Sequence, residues 1–443
     1  MGRGLDQTPA EFAESLRRAG LARGFVVNDP EARALRVSHP LLEGVAHALR
    51  QRPLGFADHE AVFLAVAPRT GALFGAFVHS TVRGQAQGGV RRWRYPAVEE
   101  FLRDGLRLSQ GMSRKSALAG LWWGGGKGVI ACCEPEAPED DPVFRATLYE
   151  EYGAFVTSLR GCFLAAEDVG TTPADVARMF SRSRFVTCVP PELGGRGNPS
   201  PATALGVVSA MEAALAFLGR GGLAGKRVAV QGCGQVGRAL VARLLERGVG
   251  SLVAADPDAR ACQALSAAHP GAPLEVRIVP RDDRSILAEP CDVLAPCALG
   301  GVLDAKSIPG LRTELVCGSA NNQLACEERD DRALAEAGIT WVPDPLCNRM
   351  GIVYCGSEPW GLVPDDPDVL RHLDPAWSGS IPAMTQRVLA RARDEGVPPG
   401  QAACALADEA LREPHPLLGH RGRRIIAGLV ADRWAASGRE GAC

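Results

Sequence analysis

The sequence contains no run of 18 consecutive apolar residues and carries almost no net charge. A transmembrane helix needs about 20 mainly apolar residues, so we expect none. A net charge of −2 gives no electrostatic reason to predict binding to nucleic acid or to a membrane. The N-terminal segment also lacks the apolar core of a signal peptide. Together these absences predict a cytoplasmic protein.

Cysteine pairs at the CxxC spacing are absent as well. The chain has 14 cysteines, but none forms a CxxC pair, although Cys132 and Cys133 are adjacent. A structural zinc site needs paired ligands at such a spacing, so no metal is predicted. Because the chain shows no secretory signal, we expect its cysteines to be reduced, small and buried.

The length and the texture of the chain suggest its organisation. At 443 residues it exceeds one ordinary hydrophobic core, and roughly two to three domains are expected. Residues 1 to about 55 predict short helices. The apolar runs EAVFLAVAP and ALFGAFVHSTV predict a strand–turn–strand pair, and the following GQAQGGVRRWRYP predicts a glycine-rich loop with solvated arginines. The segment PPELGGRGNPSP, rich in Pro and Gly, marks a domain boundary.

The stretch GMSRKSALAGLWWGGGKGVI concentrates candidate chemistry. Lys127 follows three glycines and precedes a fourth, so backbone or ligand can approach it closely. Trp122 and Trp123 add apolar surface, and desolvation would lower the pKa of Lys127 enough for proton exchange near neutral pH. A flexible glycine turn with an exposed lysine is the alternative. A second lysine, Lys115, stands on the same stretch and favours a catalytic interpretation.

An acid follows the next predicted strand. The run FLAAED ends in Asp168, and Thr171 or Thr172 can cap the helix that begins near Pro173. Asp168 therefore lies where a strand enters a loop. Part of a turn is the other interpretation of this residue.

The clearest fold signal lies in the middle of the chain. KRVAVQ reads as a buried strand, and it is followed at once by GCGQVG and a helix. A second strand, SLVAAD, ends in Asp256, about 20 residues after the last glycine, as in dinucleotide-binding units. The helix N-terminus would present free N–H groups and a partial positive charge to the phosphates. This combination predicts dinucleotide binding.

Further strands and helices alternate after this unit. LEVRIVP, CDVLAPCAL, ELVCGSANNQL and ITWVPD predict a mostly parallel, doubly wound sheet. Ligands bind beyond the carboxyl ends of the strands in such sheets. Asn321 and Asn322 follow a strand and so point toward that edge, although a simple polar turn is the alternative. The C-terminal region predicts helices without a motif.

These motifs, in this order, resemble those of the glutamate, leucine, valine and phenylalanine dehydrogenase family, most nearly its branch for apolar substrates. GGVRRWRY, AEDVGTTPADV, GNPSPATALGV, VAVQGCGQVG, DVLAPCALGGVL, GSANNQL and VPDPLCNRMGIV carry the resemblance together with the lysine stretch, over about residues 75 to 360. The resemblance implies an α/β fold with an N-terminal substrate and oligomerisation domain and a Rossmann, doubly wound dinucleotide-binding domain. We place the first at 1–187, with helices of 361–443 packing back on it, and the NAD-binding domain at 188–360.

The family implies a role for each matching position. Lys115 would bind the substrate carboxylate, Lys127 would polarise the carbonyl and the attacking water, and Asp168 would exchange protons with the amino nitrogen. Coenzyme contacts are implied for Gly232, Gly234, Gln235, Val236, Gly237 and Asp256, for Ser200 and Thr203 near the nicotinamide, and for Asn321 or Asn322 near its carboxamide or the substrate.

The implied reaction is reversible, NAD-dependent oxidative deamination of an L-amino acid by a homo-oligomer. Hydride leaves the α-carbon for NAD, water adds to the iminium ion, and the product collapses to a 2-oxo acid and ammonia. Charge shifts at one carbon only, so a cation for the carboxylate and a Lys/Asp proton-transfer pair suffice, and no metal is required.

The side-chain pocket departs from the family pattern. Gln87 stands where the apolar branch has leucine and glutamate dehydrogenases have lysine, Asn348–Gly351 replaces Asn-Ala-Gly-Gly, and Tyr354 replaces a frequent asparagine. The predicted pocket residues are Gln87, Gly88, Ala166, Ile352 and Cys355. None is charged, which favours apolar or weakly polar substrates, and the amide of Gln87 favours a side chain with a hydrogen-bonding group. The alternatives are the same chemistry on an unusual amino acid in a specialised pathway, or a catalytically lapsed NAD-binding regulatory protein.

Overall fold

Two β-sheets organise the protein, which is known from a computed structural model describing residues 5–51, 54–132 and 141–436. Cys133 lies outside these residues, so the expectation about the adjacent cysteines concerns Cys132 alone. The strands of the first sheet are β1 Arg23–Asp29, β2 Ala34–Val37, β3 Ala61–Val66, β4 Leu73–Ser80, β5 Ala86–Trp93, β6 Gly124–Ala131 and β7 Phe163–Glu167.

The first sheet has the order β2-β1-β3-β4-β6-β5-β7. The predicted strand–turn–strand pair is confirmed, because β3 and β4 are antiparallel neighbours. The prediction of short helices over residues 1 to about 55 is confirmed for α1 Pro9–Arg18 and α2 Glu43–Arg50 and wrong for the strands between them, and a second prediction was wrong. β1 lies in the region expected to be helical, since pairing with both β2 and β3 outweighs local helix propensity. The expected glycine-rich loop is β5, a strand held between β6 and β7 by parallel pairing.

The second sheet is parallel throughout its described strands and has the order β10-β9-β8-β11-β12-β13. The order reverses beside β8, which makes the crevice between β8 and β11 the topological switch point. The doubly wound prediction is confirmed. Its strands are β8 Arg227–Gln231, β9 Ser251–Asp256, β10 Leu274–Ile278, β11 Val293–Pro296, β12 Leu315–Val316 and β13 Thr340–Trp341.

The helices cover both sheets and connect them. They are α1 Pro9–Arg18, α2 Glu43–Arg50, α3 Val98–Leu118, α4 Pro142–Ser158, α5 Pro173–Phe180, α6 Ser200–Phe217, α7 Gln235–Glu246, α8 Ala259–Ala268, α9 Glu327–Glu336, α10 Asp344–Cys347, α11 Met350–Ser357, α12 Pro367–Leu370, α13 Ile381–Glu395, α14 Pro399–Ala410 and α15 Arg421–Ala431. The sequence-predicted cap of α5 is Thr172, in a capping box with Asp175.

The C-terminal helices divide between the two halves. α13 packs on α6 in the core of the second sheet, and α14 contacts both α3 and α9. Ile426 and Leu429 of α15 join a core cluster of the first sheet. Packing of this region is therefore not confined to the first half, as the sequence had suggested, because α13 offers its apolar face to α6.

Helix α6 also bears on the expectation about membranes. Among the described residues it is the one helix that is long and apolar enough to cross a membrane by length and composition. Its apolar residues include Val207, Met211 and Leu215, which are buried against the second sheet. In total 61% of the helix is buried, as in the core helix of a folded domain.

Candidate active site

Strands β5 and β6 and the carboxyl end of β7 bring the predicted catalytic residues onto one face. Gln87 pairs with Gly125 across β5 and β6, so the alternation of side chains puts Gln87 and Arg91 on the same face as Lys127. Asp168 follows directly after β7. Between Gln87 and Arg91, the residue of β5 on this face is Gly89. It has no side chain, so the centre of the face is open.

Lys127 and Asp168 form a buried ion pair. Lys127 Nζ lies 2.7 Å from Asp168 Oδ2, and their side chains are 5% and 15% exposed. A Cβ on Gly89 would lie 2.6 Å from Asp168 Cβ, so the pair needs glycine there. Gly88, which the sequence placed in the pocket, points to the opposite face, where a Cβ would meet the Gly126 carbonyl oxygen at 1.8 Å. Strand alternation thus moves the lining glycine from Gly88 to Gly89.

Arg91 extends this pair into a network that the sequence analysis missed. Its Nε donates to Asp168 Oδ2 at 3.2 Å, and its Nη1 lies 3.0 Å from Asp104 Oδ2. Tyr95 donates its hydroxyl to the same Asp104 oxygen at 2.7 Å. Arg91 was expected in solvent because its segment read as a loop. GGVRRW does not alternate apolar and polar residues, so it is the pairing of β5 with β6 and β7 that places Arg91 on the catalytic face.

Both members of the ion pair have shifted pKa values. Burial lowers the pKa of Lys127, and Arg91 lowers it further, against the attraction of Asp168. Burial would raise the pKa of Asp168, but the charges of Lys127 and Arg91 together hold it below its usual value. The result is a carboxylate that stays ionised beside an amine that releases its proton more easily than a free lysine does.

Lys115 is brought to the site by a close crossing of α3 over β6. A Cβ on Gly125 would lie 2.1 Å from the Ser113 backbone nitrogen, so glycine permits this approach. Lys115 Nζ donates to Asn321 Oδ1 at 3.4 Å and so reaches the edge of the second sheet. Burial lowers the pKa of Lys115 to about 8, with Asp344 opposing the shift and Lys127 adding to it.

The two predicted asparagines behave differently. Asn321 Oδ1 also accepts a hydrogen bond from Asn348 Nδ2 at 2.9 Å, so its amide is oriented at the mouth of the site. Asn322 donates its backbone N–H to Asp344 Oδ2 at 3.0 Å. Burial raises the pKa of Asp344 to about 6, against the pull of Lys115 and of that N–H. Of the two, the side chain of Asn321 is the one in contact with Lys115.

The loop between β8 and α7 fits a dinucleotide. Gly232 has a φ of +105°, which favours glycine, and a Cβ on Gly237 would lie 1.9 Å from the Gly232 carbonyl oxygen. A Cβ on Gly234 would meet nothing within 4 Å, so the space above the start of α7, at Gln235 and Val236, is open. An open helix N-terminus suits a pyrophosphate.

The remaining residues that were predicted to contact the coenzyme lie around this loop and at the start of α6. Asp256, at the end of β9, accepts hydrogen bonds from the backbone N–H groups of Cys233 at 2.7 Å and Asp258 at 2.8 Å. Ser200 and Thr203 are both 7% exposed in the first turn of α6. These positions suit a dinucleotide that extends from Asp256 along the switch point.

A cysteine pair lines the predicted side-chain pocket. Cys188 and Cys355 form a disulfide with 5.3 Å between their Cα atoms, across 167 residues of sequence. They pack with Ala166 in a small apolar cluster. The expectation that all cysteines are reduced was therefore wrong for this pair, because two chain segments that link the halves of the molecule meet here. Ile352, one turn before Cys355, packs partly against the core of the second sheet.

The unusual sequence from Asn348 to Gly351 has a structural explanation. Arg349 is fully buried and donates from Nη1 to the Leu118 carbonyl and from Nη2 to the Gly379 carbonyl. Burial lowers its pKa to about 9. Arg349 thereby fastens the C-terminal end of α3, the helix that carries Lys115, to the segment before α13. Sequence reasoning noted the departure but not this contact.

Residues 71–184 match the family model "Glu/Leu/Phe/Val dehydrogenase, dimerisation domain", and residues 194–264 and 267–407 match "Glutamate/Leucine/Phenylalanine/Valine dehydrogenase". The chain is 36% identical over 360 residues to leucine dehydrogenase of Geobacillus stearothermophilus, covering 80% of this chain and 91% of that protein. It is 37% identical over 371 residues to valine dehydrogenase of Streptomyces virginiae, covering 84% and 98%. A solved structure, L-tryptophan dehydrogenase from Nostoc punctiforme, has 31% identity and a TM-score of 0.65, covering 82% of this chain and 98% of that chain.

Proposed function

The chain belongs to the glutamate/leucine/phenylalanine/valine dehydrogenase family, and from this premise we propose how its own residues deaminate an amino acid with NAD. It is an oxidoreductase that converts an apolar L-amino acid to the 2-oxo acid and ammonia. The observation that carries the assignment of residues is the Lys127–Asp168 ion pair at 2.7 Å. A buried amine and carboxylate in contact are the acid–base pair that this chemistry needs.

Lys115 binds the substrate carboxylate. It lies on α3 with its ammonium group directed at Asn321, where the two sheets meet. A charge-assisted hydrogen bond to the carboxylate would replace that long contact and orient the α-carbon. Lys115 is suited to this role because its pKa of about 8 keeps it mostly protonated, and so charged, at neutral pH.

Lys127 and Asp168 handle the protons. Asp168 is ionised and accepts a proton from the substrate ammonium group, so that the nitrogen lone pair is free. Lys127, whose lowered pKa favours the free amine, then accepts the proton that the attacking water loses as its oxygen bonds to the α-carbon. The resulting ammonium group donates a hydrogen bond to that oxygen as it becomes the carbonyl oxygen of the 2-oxo acid. Arg91 holds Asp168 in place through Nε. It does not touch the reacting carbon and is a positioning residue.

A nicotinamide coenzyme, which the family uses, supplies the hydride acceptor when bound. The glycine loop and Asp256 would hold its adenosine and pyrophosphate, and Ser200, Thr203 and Asn321 would lie near its nicotinamide. We propose NAD because the carboxylate of Asp256 accepts hydrogen bonds from ribose hydroxyls and repels a 2′-phosphate. Arg260, four residues on, is exposed at the start of α8 and is a cation that could favour NADP.

The proposal also covers the oligomeric state, the compartment and the domain boundaries of the protein. The protein acts as a homo-oligomer, since residues 71–184 match a dimerisation domain. It works in the cytoplasm, where nicotinamide coenzymes and amino acids are available. Residues 1–187 form the substrate domain and residues 188–360 the NAD domain, a division supported by the separate sheets on each side.

The experiment that tests the proposal is a steady-state assay of NADH formation against a panel of L-amino acids. Activity led by leucine, valine, phenylalanine or another uncharged amino acid is expected. Activity led by glutamate, with branched-chain and aromatic amino acids inert, would contradict the uncharged pocket. Comparison of NAD with NADP in the same assay tests the coenzyme preference.

A further inference from the structure

One buried acceptor in the site lacks a partner among the described residues. Gln87 is 2% exposed, and its Oε1 atom has no hydrogen-bond partner there. Leaving a buried carbonyl oxygen unpaired is unfavourable, so such an atom marks a place where a ligand group belongs. The side chain lies on the same face of the sheet as Lys127, one strand away.

The neighbouring Thr187 determines which end of the amide is free. Thr187 Oγ1 donates its one hydrogen to the Ala165 carbonyl at 3.4 Å, so toward Gln87 it can only accept. Gln87 Nε2 donates to that Oγ1 at 3.4 Å. The nitrogen therefore faces Thr187, and the oxygen faces away from it. The sequence does not show which end of the Gln87 amide is free. The contact with Thr187 assigns the oxygen as the free end.

The surroundings of Gln87 Oε1 are those of the end of a side-chain pocket. A Cβ built on Gly356 would lie 3.4 Å from Oε1 and 3.2 Å from Trp123 Nε1, so the glycine leaves space between these groups. The cluster of Ala166 and the Cys188–Cys355 disulfide adds apolar surface nearby. None of these groups is charged, and the unpaired buried acceptor is a carbonyl oxygen, which repels a carboxylate.

We propose that Gln87 selects an amino acid whose uncharged side chain ends in an N–H or O–H donor. This inference rests on the proposed function and narrows it from apolar amino acids in general to side chains such as an indole, a phenol or an aliphatic alcohol. A purely aliphatic or phenyl side chain leaves Oε1 unpaired in the complex. A donor-bearing side chain pairs it, and sites built in this way discriminate against analogues that lack the donor.

Matched substrate pairs test the proposal. The ratio of kcat/KM is measured for threonine against valine, tyrosine against phenylalanine, and tryptophan against its 1-methyl derivative. In the wild type we expect the donor-bearing member to be favoured about tenfold or more in the pair that fits the pocket best. Gln87→Met, which keeps length but removes the acceptor, should bring that ratio to about one.

Gln85, which directly precedes β5, provides a matched control. Gln85 donates its Nε2 to the Gly161 carbonyl and is already paired, so Gln85→Met should keep the wild-type ratio. Thr187→Val, which frees the amide to rotate, should lower the ratio and serves as the second variant if Gln87→Met does not fold. A wild type that favours the member without the donor in all three pairs overturns the inference. A wild type that oxidises no amino acid at all would instead overturn the proposed function.

Discussion

The two ends of the active site are built in opposite ways. At the edge of the first sheet, side chains and glycines are crowded: Gly125 lies under α3, and Lys127 contacts Asp168 across Gly89. At the loop after β8, space is left open, and a Cβ on Gly234 would meet nothing within 4 Å. The first region needs glycine because protein already fills the place of a side chain. The second leaves open the space that the proposed coenzyme would occupy.

The largest effect is expected where the crowded end performs its chemistry. Lys127→Ala should lower kcat by several orders of magnitude, because it removes acid–base help worth about 10²–10⁴ together with electrostatic stabilisation. NADH binding, measured by fluorescence, should barely change, since the proposed coenzyme site is at the open end. Lys306→Ala, at an exposed lysine, is the control. A Lys127→Ala enzyme that keeps a tenth of the wild-type rate would remove Lys127 from the mechanism.

A pair of alanine substitutions tests the comparison directly. Gly125→Ala would put its Cβ 2.1 Å from the Ser113 nitrogen, and overpacking of this kind costs about 1–3 kcal/mol of unfolding free energy. Gly234→Ala has room and a negative φ of −67°, so stability should be unchanged while KM for the coenzyme rises. Denaturant unfolding and coenzyme titration separate the two outcomes. Equal destabilisation by both substitutions would mean that the two ends are not built differently.

Titration of Lys115 probes the boundary between the two ends. Its pKa of about 8 means that it carries charge below that pH and loses it above. A 2-oxo acid keeps its carboxylate ionised throughout this range, so its inhibition constant should rise about tenfold for each pH unit above the pKa of the free enzyme. In Lys115→Arg, whose guanidinium stays charged, the constant should be flat over the same range. A flat profile in the wild type would show that Lys115 does not hold the carboxylate.

The smallest effect is expected at the open end. Asp256→Ser should narrow the preference for NAD over NADP about tenfold, because it removes a negative charge from the site of the 2′-phosphate. The catalytic rate with saturating NAD should stay within a fewfold of the wild type, since the Asp256 carboxylate accepts its hydrogen bonds from the Cys233 and Asp258 N–H groups, in the half of the molecule that holds the second sheet. A wild type that uses both coenzymes equally would contradict the role of Asp256.

The open end could be predicted from the sequence more fully than the crowded end. GCGQVG and Asp256 are local: strand, loop, helix and acid follow one another, so spacing alone indicates the geometry. Arg91 and Gly89 could not be assigned, because their positions depend on β5 pairing with β6 and β7, strands that lie far along the chain. The Lys/Asp pair was predicted through the family resemblance rather than through spacing. A site in which the ligand binds the backbone can be predicted from local sequence signals. A site made of side chains that bind one another depends on long-range strand pairing.

The bond between Cys188 and Cys355 changes the connectivity of the chain. It joins positions 167 residues apart, and all six strands of the second sheet lie between them. The whole second sheet therefore lies in one covalent ring, which the disulfide closes. At the disulfide the ring joins two linear tails, the N-terminal one building the first sheet and the C-terminal one the last helices. In the chain-entropy description, closing a ring of this size disfavours the unfolded chain by about 5 kcal/mol. A single backbone cut inside the ring leaves one covalent molecule, whereas a cut in either tail releases a fragment.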